Sequence, residues 1–172
     1  FIVLGLICPN LTITLSHIGI NPTRSRLLDI LKAMGGQITI HTTNTDMEPY
    51  ADITVQSSSL KNIPITADDI AIIIDEIPIL AIAACFAAGS FTISNAAELR
   101  VKESDRIKKI VHLITEFGGS ITEKPDGFQL EGPLRPKAPS IQTGFDHRIA
   151  MSAIIASIAT QCPVELDTAN CI

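Results

Sequence analysis

The sequence predicts an α/β (α+β) protein assembled from repeated βαβαββ units, with its most apolar helices buried. Three observations carry this expectation. An apolar helix, a short turn and a strand recur in that order at 1–15, 75–94 and 146–166. After the first two occurrences comes an amphipathic helix closed by Gly-Gly and a β-rich tail, at 21–40 and 101–123. The helices within 75–89 and 146–161 are apolar on every side, the pattern of a helix buried all round. At 172 residues there is enough chain for one ordinary core. One domain over 1–172 is therefore expected, with units at 1–74, 75–145 and 146–172, open at both ends.

Each element has a local reason. Phe1–Cys8 is an apolar helix too short to span a bilayer, without a basic leader, and Leu11–Leu15 follows as a strand. Asn21 is placed as the N-cap of the next helix, with Pro22 at its first position and Gly35 as its stop. A strand is expected around Asp52–Gln56, and Asp75 then caps the inner helix beginning near Glu76. In the second unit the apolar stripe Ile107, Ile110, Val111, Ile114 and Phe117 defines a helix over 102–117 that stops at Gly118-Gly119. Its solvent side is expected at Lys108, Lys109 and His112. Pro125-Asp126-Gly127 turns the chain into a strand at Phe128–Glu131, and the last inner helix occupies 147–160.

Composition narrows the function. A net charge of −5, with no basic run and no Trp, argues against a nucleic-acid surface. The four cysteines Cys8, Cys85, Cys162 and Cys171 lack CxxC spacing and read as buried thiols in a reducing cytoplasm, not a metal site or disulfide framework. His17, His41 and His112 have no ligand spacing, and no Gly-rich phosphate loop or nucleophile elbow is present.

The chemistry is expected at helix starts. Four residues before Ile107 and Ile110 stand Glu103 and Arg106, so a charged pair continues a buried stripe, with Lys102 one turn before Arg106. Cations at the positive end of a helix are unfavourable unless an anion joins them. The bland alternative is a solvated charged turn, with Arg106 paired to Glu103 or Asp105. Arg148 resists such a reading, because it opens a wholly apolar helix and a buried guanidinium needs an anion. Arg24 and Arg26 sit at the equivalent start in the first unit with no Lys-Glu pair beside them. That turn reads as solvated, with Arg24 a secondary phosphate candidate.

VKESDRI at 101–107, DEIP at 75–78 and DHRIAM at 146–151 together resemble the 5-enolpyruvylshikimate-3-phosphate synthase (3-phosphoshikimate 1-carboxyvinyltransferase) family, in the order and spacing of its C-terminal part. The resemblance covers nearly all of this chain and less than half of such an enzyme. It implies an inside-out α/β barrel of the enolpyruvate transferase type, with parallel helices inside and sheets outside. It implies transfer of the enolpyruvyl group from phosphoenolpyruvate to the 5-hydroxyl of shikimate 3-phosphate, without cofactor or metal, in a cytoplasmic monomer that binds neither nucleic acid nor membrane. Asp75 then binds the shikimate hydroxyls and accepts a proton, Lys102 bonds the 5-hydroxyl, and Glu103 exchanges a proton with the methylene carbon. Arg106 and Arg148 grip phosphoenolpyruvate, and His147 orients the site. A UDP-N-acetylglucosamine 1-carboxyvinyltransferase-like enzyme and a non-catalytic repeat scaffold are the alternatives. The stretch by itself is expected to be inactive.

Overall fold

A computed structural model describes residues 1–44, 48–134 and 136–172, and the side chains of all of these except 42–44. The first unit runs α1 (Ile2–Ile7), β1 (Thr12–Gly19), α2 (Arg26–Ala33), β2 (Gln37–Asn44) and β3 (Tyr50–Gln56). The second runs α3 (Ala67–Ile73), α4 (Ile77–Phe86), β4 (Gly89–Ile93), a 3₁₀ turn at Ala97–Val101, α5 (Arg106–Glu116), β5 (Ser120–Lys124) and β6 (Gly127–Gly132). β7 (Ser140–Ile141), α6 (His147–Thr160) and β8 (Glu165–Leu166) follow.

The repeat is visible in the sheets. β3 lies between β1 and β2, and β6 lies between β4 and β5, each pairing antiparallel on both sides. Register places Ile13, Val55 and Ile38 in one cross-strand row and Phe91, Leu130 and Ile121 in its counterpart, so each sheet turns an apolar face to the helices. Thr14 and Thr54 meet on the opposite face of the first sheet. β7 and β8 are parallel and are joined through α6, the connection that parallel strands require.

Both amphipathic helices end alike. Gly35 and Gly118 take left-handed backbone (φ +97° and +89°) one residue past the C-caps Met34 and Phe117. The next amides close on the carbonyls of Leu31 and Ile114, each at a hydrogen-bond length (2.9 and 2.8 Å). The second glycine of each pair is required by crowding: a Cβ on Gly36 would lie 2.7 Å from the Leu31 carbonyl, and one on Gly119 2.5 Å from Ile114 Cγ2.

α4 is the buried axis. Residues Leu80–Cys85 along it are all buried, and it packs on α1, α5, α6 and β6. Enclosure pushes the Cys85 thiol up to about 12. α6 departs from the expected burial. Ile149, Ala150, Ala153 and Ala156 are buried, but Met151 and Ile158 are exposed because no described element packs on that side.

Other expectations shift at helix starts. α2 begins at Arg26; the Asn21 carboxamide instead closes a turn, accepting from the Thr23 amide and hydroxyl (3.0 and 2.8 Å). α5 begins at Arg106, because Asp105 accepts from the Lys108 amide and ends the irregular stretch before it. The apolar run at 70–74 belongs largely to a helix, α3, set by a reciprocal Thr66–Asp69 capping box. Lys109 is half-buried and donates to the Gln142 carbonyl (2.8 Å), and His112 is half-buried, so the solvent side of α5 is narrower than its sequence implies.

Candidate active site

Arg106 organises the site. It is the first residue of α5, and its side chain is only 1% exposed. Nε donates to Asp146 Oδ2 (2.9 Å), Nη1 to Asp75 Oδ1 (3.0 Å), and Nη2 to the Glu103 carboxylate. Burial works to lower the basicity of this guanidinium, but the Asp146 hydrogen bond and charge, then Glu103 and Asp75, more than reverse it. The converse holds at Asp146. Burial works to raise its pKa, yet Arg106, the Ser104 hydroxyl (2.9 Å) and the Arg148 amide (3.0 Å) hold the carboxyl below the usual range.

Three chain segments deliver these groups. Asp146 is the N-cap of α6, which places Arg148 in the first turn. Arg148 Nη1 donates to the Asp75 carbonyl (2.8 Å), while its Nη2 lies 3.7 Å from Asp75 Oδ2. Lys102 stands 3.8 Å from Asp75 Oδ1 and also pairs with Glu98. That Glu98 bond, then the charge of Asp75, raises the Lys102 pKa against partial burial. The stretch carrying Lys102 and Glu103 is fixed by Arg100, which donates to the carbonyls of Pro125 and Lys124 (2.7 Å each) and to Asp105 (2.9 Å).

Asp75, Lys102, Glu103, Arg106 and Arg148 are thus joined by ion pairs at one end of the helices. The structure corrects the role of Asp75. Glu76 holds the N-cap position of α4 without a side-chain cap bond, and the Asp75 carboxylate turns to the cations instead. Arg106 pairs with Asp146 and Asp75 as well as Glu103, and not with Asp105. His147 is the first residue of α6, but its ring joins none of these ion pairs or hydrogen bonds. Arg24 is exposed on the turn before α2.

Sequence reasoning missed Asp146 and Arg100. The signal for Asp146 was a cap-type residue immediately before an apolar helix; its Arg106 partner lies 40 residues away.

Asp75 and Arg148 also line a cleft of about 410 Å³, together with Pro78, Ile79, Met151 and Ile155. Among the described residues no group of His, Cys, Asp or Glu could hold a metal ion, and no helix is long and apolar enough to cross a membrane.

Known proteins are similar to this chain in sequence and fold. The family model for EPSP synthase (3-phosphoshikimate 1-carboxyvinyltransferase) matches residues 1–172. The 3-phosphoshikimate 1-carboxyvinyltransferase of Petrotoga mobilis is 45% identical over 100% of this chain and 40% of its own length. That of Leuconostoc mesenteroides is 45% identical over 96% of this chain and 39% of its own. A solved EPSP synthase from Acinetobacter baumannii superposes with a TM-score of 0.90 at 36% identity, over 96% of this chain and 39% of that one. The enolpyruvyl transferase NikO from Streptomyces tendae shares the fold, with a TM-score of 0.62 at 16% identity over 96% of this chain and 36% of its own. This chain therefore spans about 40% of the length of the relatives it matches.

Proposed function

The chain belongs to the EPSP synthase family, and from that premise we propose that it supplies the phosphoenolpyruvate-gripping side of a 3-phosphoshikimate 1-carboxyvinyltransferase. The observation that carries this reading is the convergence of Lys102, Arg106 and Arg148 on Asp75, with Glu103 on Arg106. Three cations suit two anionic substrates, and two half-exposed carboxylates stand among them for proton transfer.

Phosphoenolpyruvate binds with its charge on Arg106 and Arg148, whose planar forks match carboxylate and phosphate. Asp75 and Glu103 pair with Arg106, so the substrate anion takes their place there. Both carboxylates are then freed for chemistry by the binding event itself. Lys102 orients the 5-hydroxyl of shikimate 3-phosphate, and Asp75 accepts its proton as the oxygen bonds to C2. Glu103, having taken up a proton, protonates C3. The tetrahedral adduct loses phosphate, which carries off the proton that Asp75 took from the hydroxyl, as a proton at C3 returns to Glu103 and restores the double bond in the product. Asp146 keeps Arg106 charged and aimed.

On this reading 1–172 forms most of one globular half of a monomeric cytoplasmic enzyme. Its three repeat units put α1, α4 and α6 inside and the sheets outside, and the other half closes over the substrates to exclude water. Phosphate release from shikimate 3-phosphate plus phosphoenolpyruvate tests it. In the full-length enzyme, Glu103→Gln and Asp75→Asn should each lower turnover by roughly 10²–10⁴ with folding intact. Residues 1–172 alone should release none. Wild-type turnover in either variant would remove that carboxylate from the mechanism, and turnover by 1–172 alone would remove the two-half closure.

A further inference from the structure

We infer that Asp167 is a positioning residue for the reaction, holding the turn that delivers Asp146 and Arg148 to the site. It follows β8 and touches neither Arg106 nor Arg148. Its Oδ1 accepts from the Thr143 amide (2.9 Å), the Thr143 hydroxyl (2.6 Å) and the Thr168 amide (2.8 Å). Its Oδ2 faces the Gly144 amide at 3.3 Å. Thr143 is fully buried, so its polar groups have no water to fall back on. The Thr143 hydroxyl first, then its amide, hold the Asp167 carboxyl down to about 2, which keeps the clamp charged at any working pH.

The turn needs such a clamp. Gly144 and Phe145 are consecutive left-handed residues, with φ of +63° and +61°. For a phenylalanine this backbone is strained, and it persists only where the surroundings impose it. Phe145 is 71% exposed, so its own packing imposes little. The constraint comes from the neighbours: Asp167 on one side, and on the other Lys109, which binds the Gln142 carbonyl (2.8 Å). The next residue is Asp146, which caps α6 and holds Arg106. Slack in this turn therefore reaches both arginines that grip phosphoenolpyruvate, while Asp75 and Lys102 stay on other segments.

The inference rests on the functional reading above, so phosphate release by the wild-type full-length enzyme is measured first. Asp167→Ala should then raise KM for phosphoenolpyruvate about tenfold, by the steep dependence of rate on placement. KM for shikimate 3-phosphate should stay within about twofold, since its contacts lie elsewhere. Asp167→Asn keeps the Oδ1 acceptor and loses only the Gly144 bond, so the rise should shrink to about threefold. Amide exchange at Thr143 and Gly144 should quicken in the same order. Arg26→Ala, a surface ion-pair loss far from the turn, should leave both KM values unchanged.

Equal KM changes for the two substrates, or none, would overturn the inference even if the melting temperature fell; Asp167 would then be a structural staple. If Asp167→Ala does not fold, Asp167→Asn decides by the same split. An inactive wild-type enzyme overturns the functional reading instead, a result distinct from any failure of the variants.

Discussion

Two arginines open two equivalent helices, and their surroundings could hardly differ more. Arg26 begins α2 and Arg106 begins α5, and both helices end in the same double-glycine turn. Each arginine reaches a carboxylate associated with a later helix: Arg26 Nε to Asp69 in α3 (2.7 Å), Arg106 Nε to Asp146 at the start of α6 (2.9 Å). Arg26 stops there, with Asp29 as a second partner and 41% of its side chain exposed. Arg106 adds Asp75 and Glu103 and is 1% exposed. The repeat thus supplies a structural tie in one unit and a buried anion-gathering centre in the next. What separates them is the stretch between the 3₁₀ turn and α5, which folds Glu103 over the guanidinium, and the start of α4, which brings Asp75. Taking one partner from a buried ion cluster leaves a charge without water, whereas an exposed pair leaves its partner solvated.

The sharpest test removes the shared partner. Asp146→Ala strands Arg106 among fewer anions and should cost about 3–5 kcal/mol in denaturant unfolding. Asp69→Ala should cost much less, because water reaches Arg26. Equal losses would erase the distinction between the two units. The helix ends should behave oppositely: Gly35→Ala and Gly118→Ala each force a side chain into left-handed backbone and should each cost about 1–2 kcal/mol. Unequal losses there would show that the repeat is less regular than its backbone.

Acid gives a smaller, graded effect. Asp69, Asp146 and Asp167 all have folded pKa values below the ordinary 3.8, so their contribution is complete above about pH 4 and is lost as pH falls through the folded values. Urea midpoints between pH 5 and 2.5 should fall with acid, and more gently in Asp69→Asn. The Asp69 shift comes first from the Thr66 hydroxyl and then from Arg26, so Arg26→Ala should leave most of the slope. A slope abolished by Arg26→Ala would make the arginine, not the capping box, the source.

Much of this was legible in the chain. The apolar runs placed α4 and α6, and Gly-Gly fixed the ends of α2 and α5, because period and turn chemistry are local. The motif positions marked the residues that gather around Arg106. What stayed hidden was long-range or competitive. Asp75 is positioned to cap α4, yet three nearby cations draw its carboxylate away. Asn21 reads as a helix cap, but its own turn captures the side chain first. The apolar strip on α6 carries no mark in the sequence to separate a buried face from one that nothing described here covers.

The enclosed thiol of Cys85 has a use in the laboratory. Thiolate is the reactive form, and at neutral pH a group pushed up to about 12 presents almost none of it. Cys162 and Cys171 are less enclosed and should alkylate quickly. Cys85 should take up label only when α4 leaves its neighbours, so mass spectrometry of a timed alkylation would record how often the innermost helix opens. The molecule carries its own clock for that event, with no probe introduced.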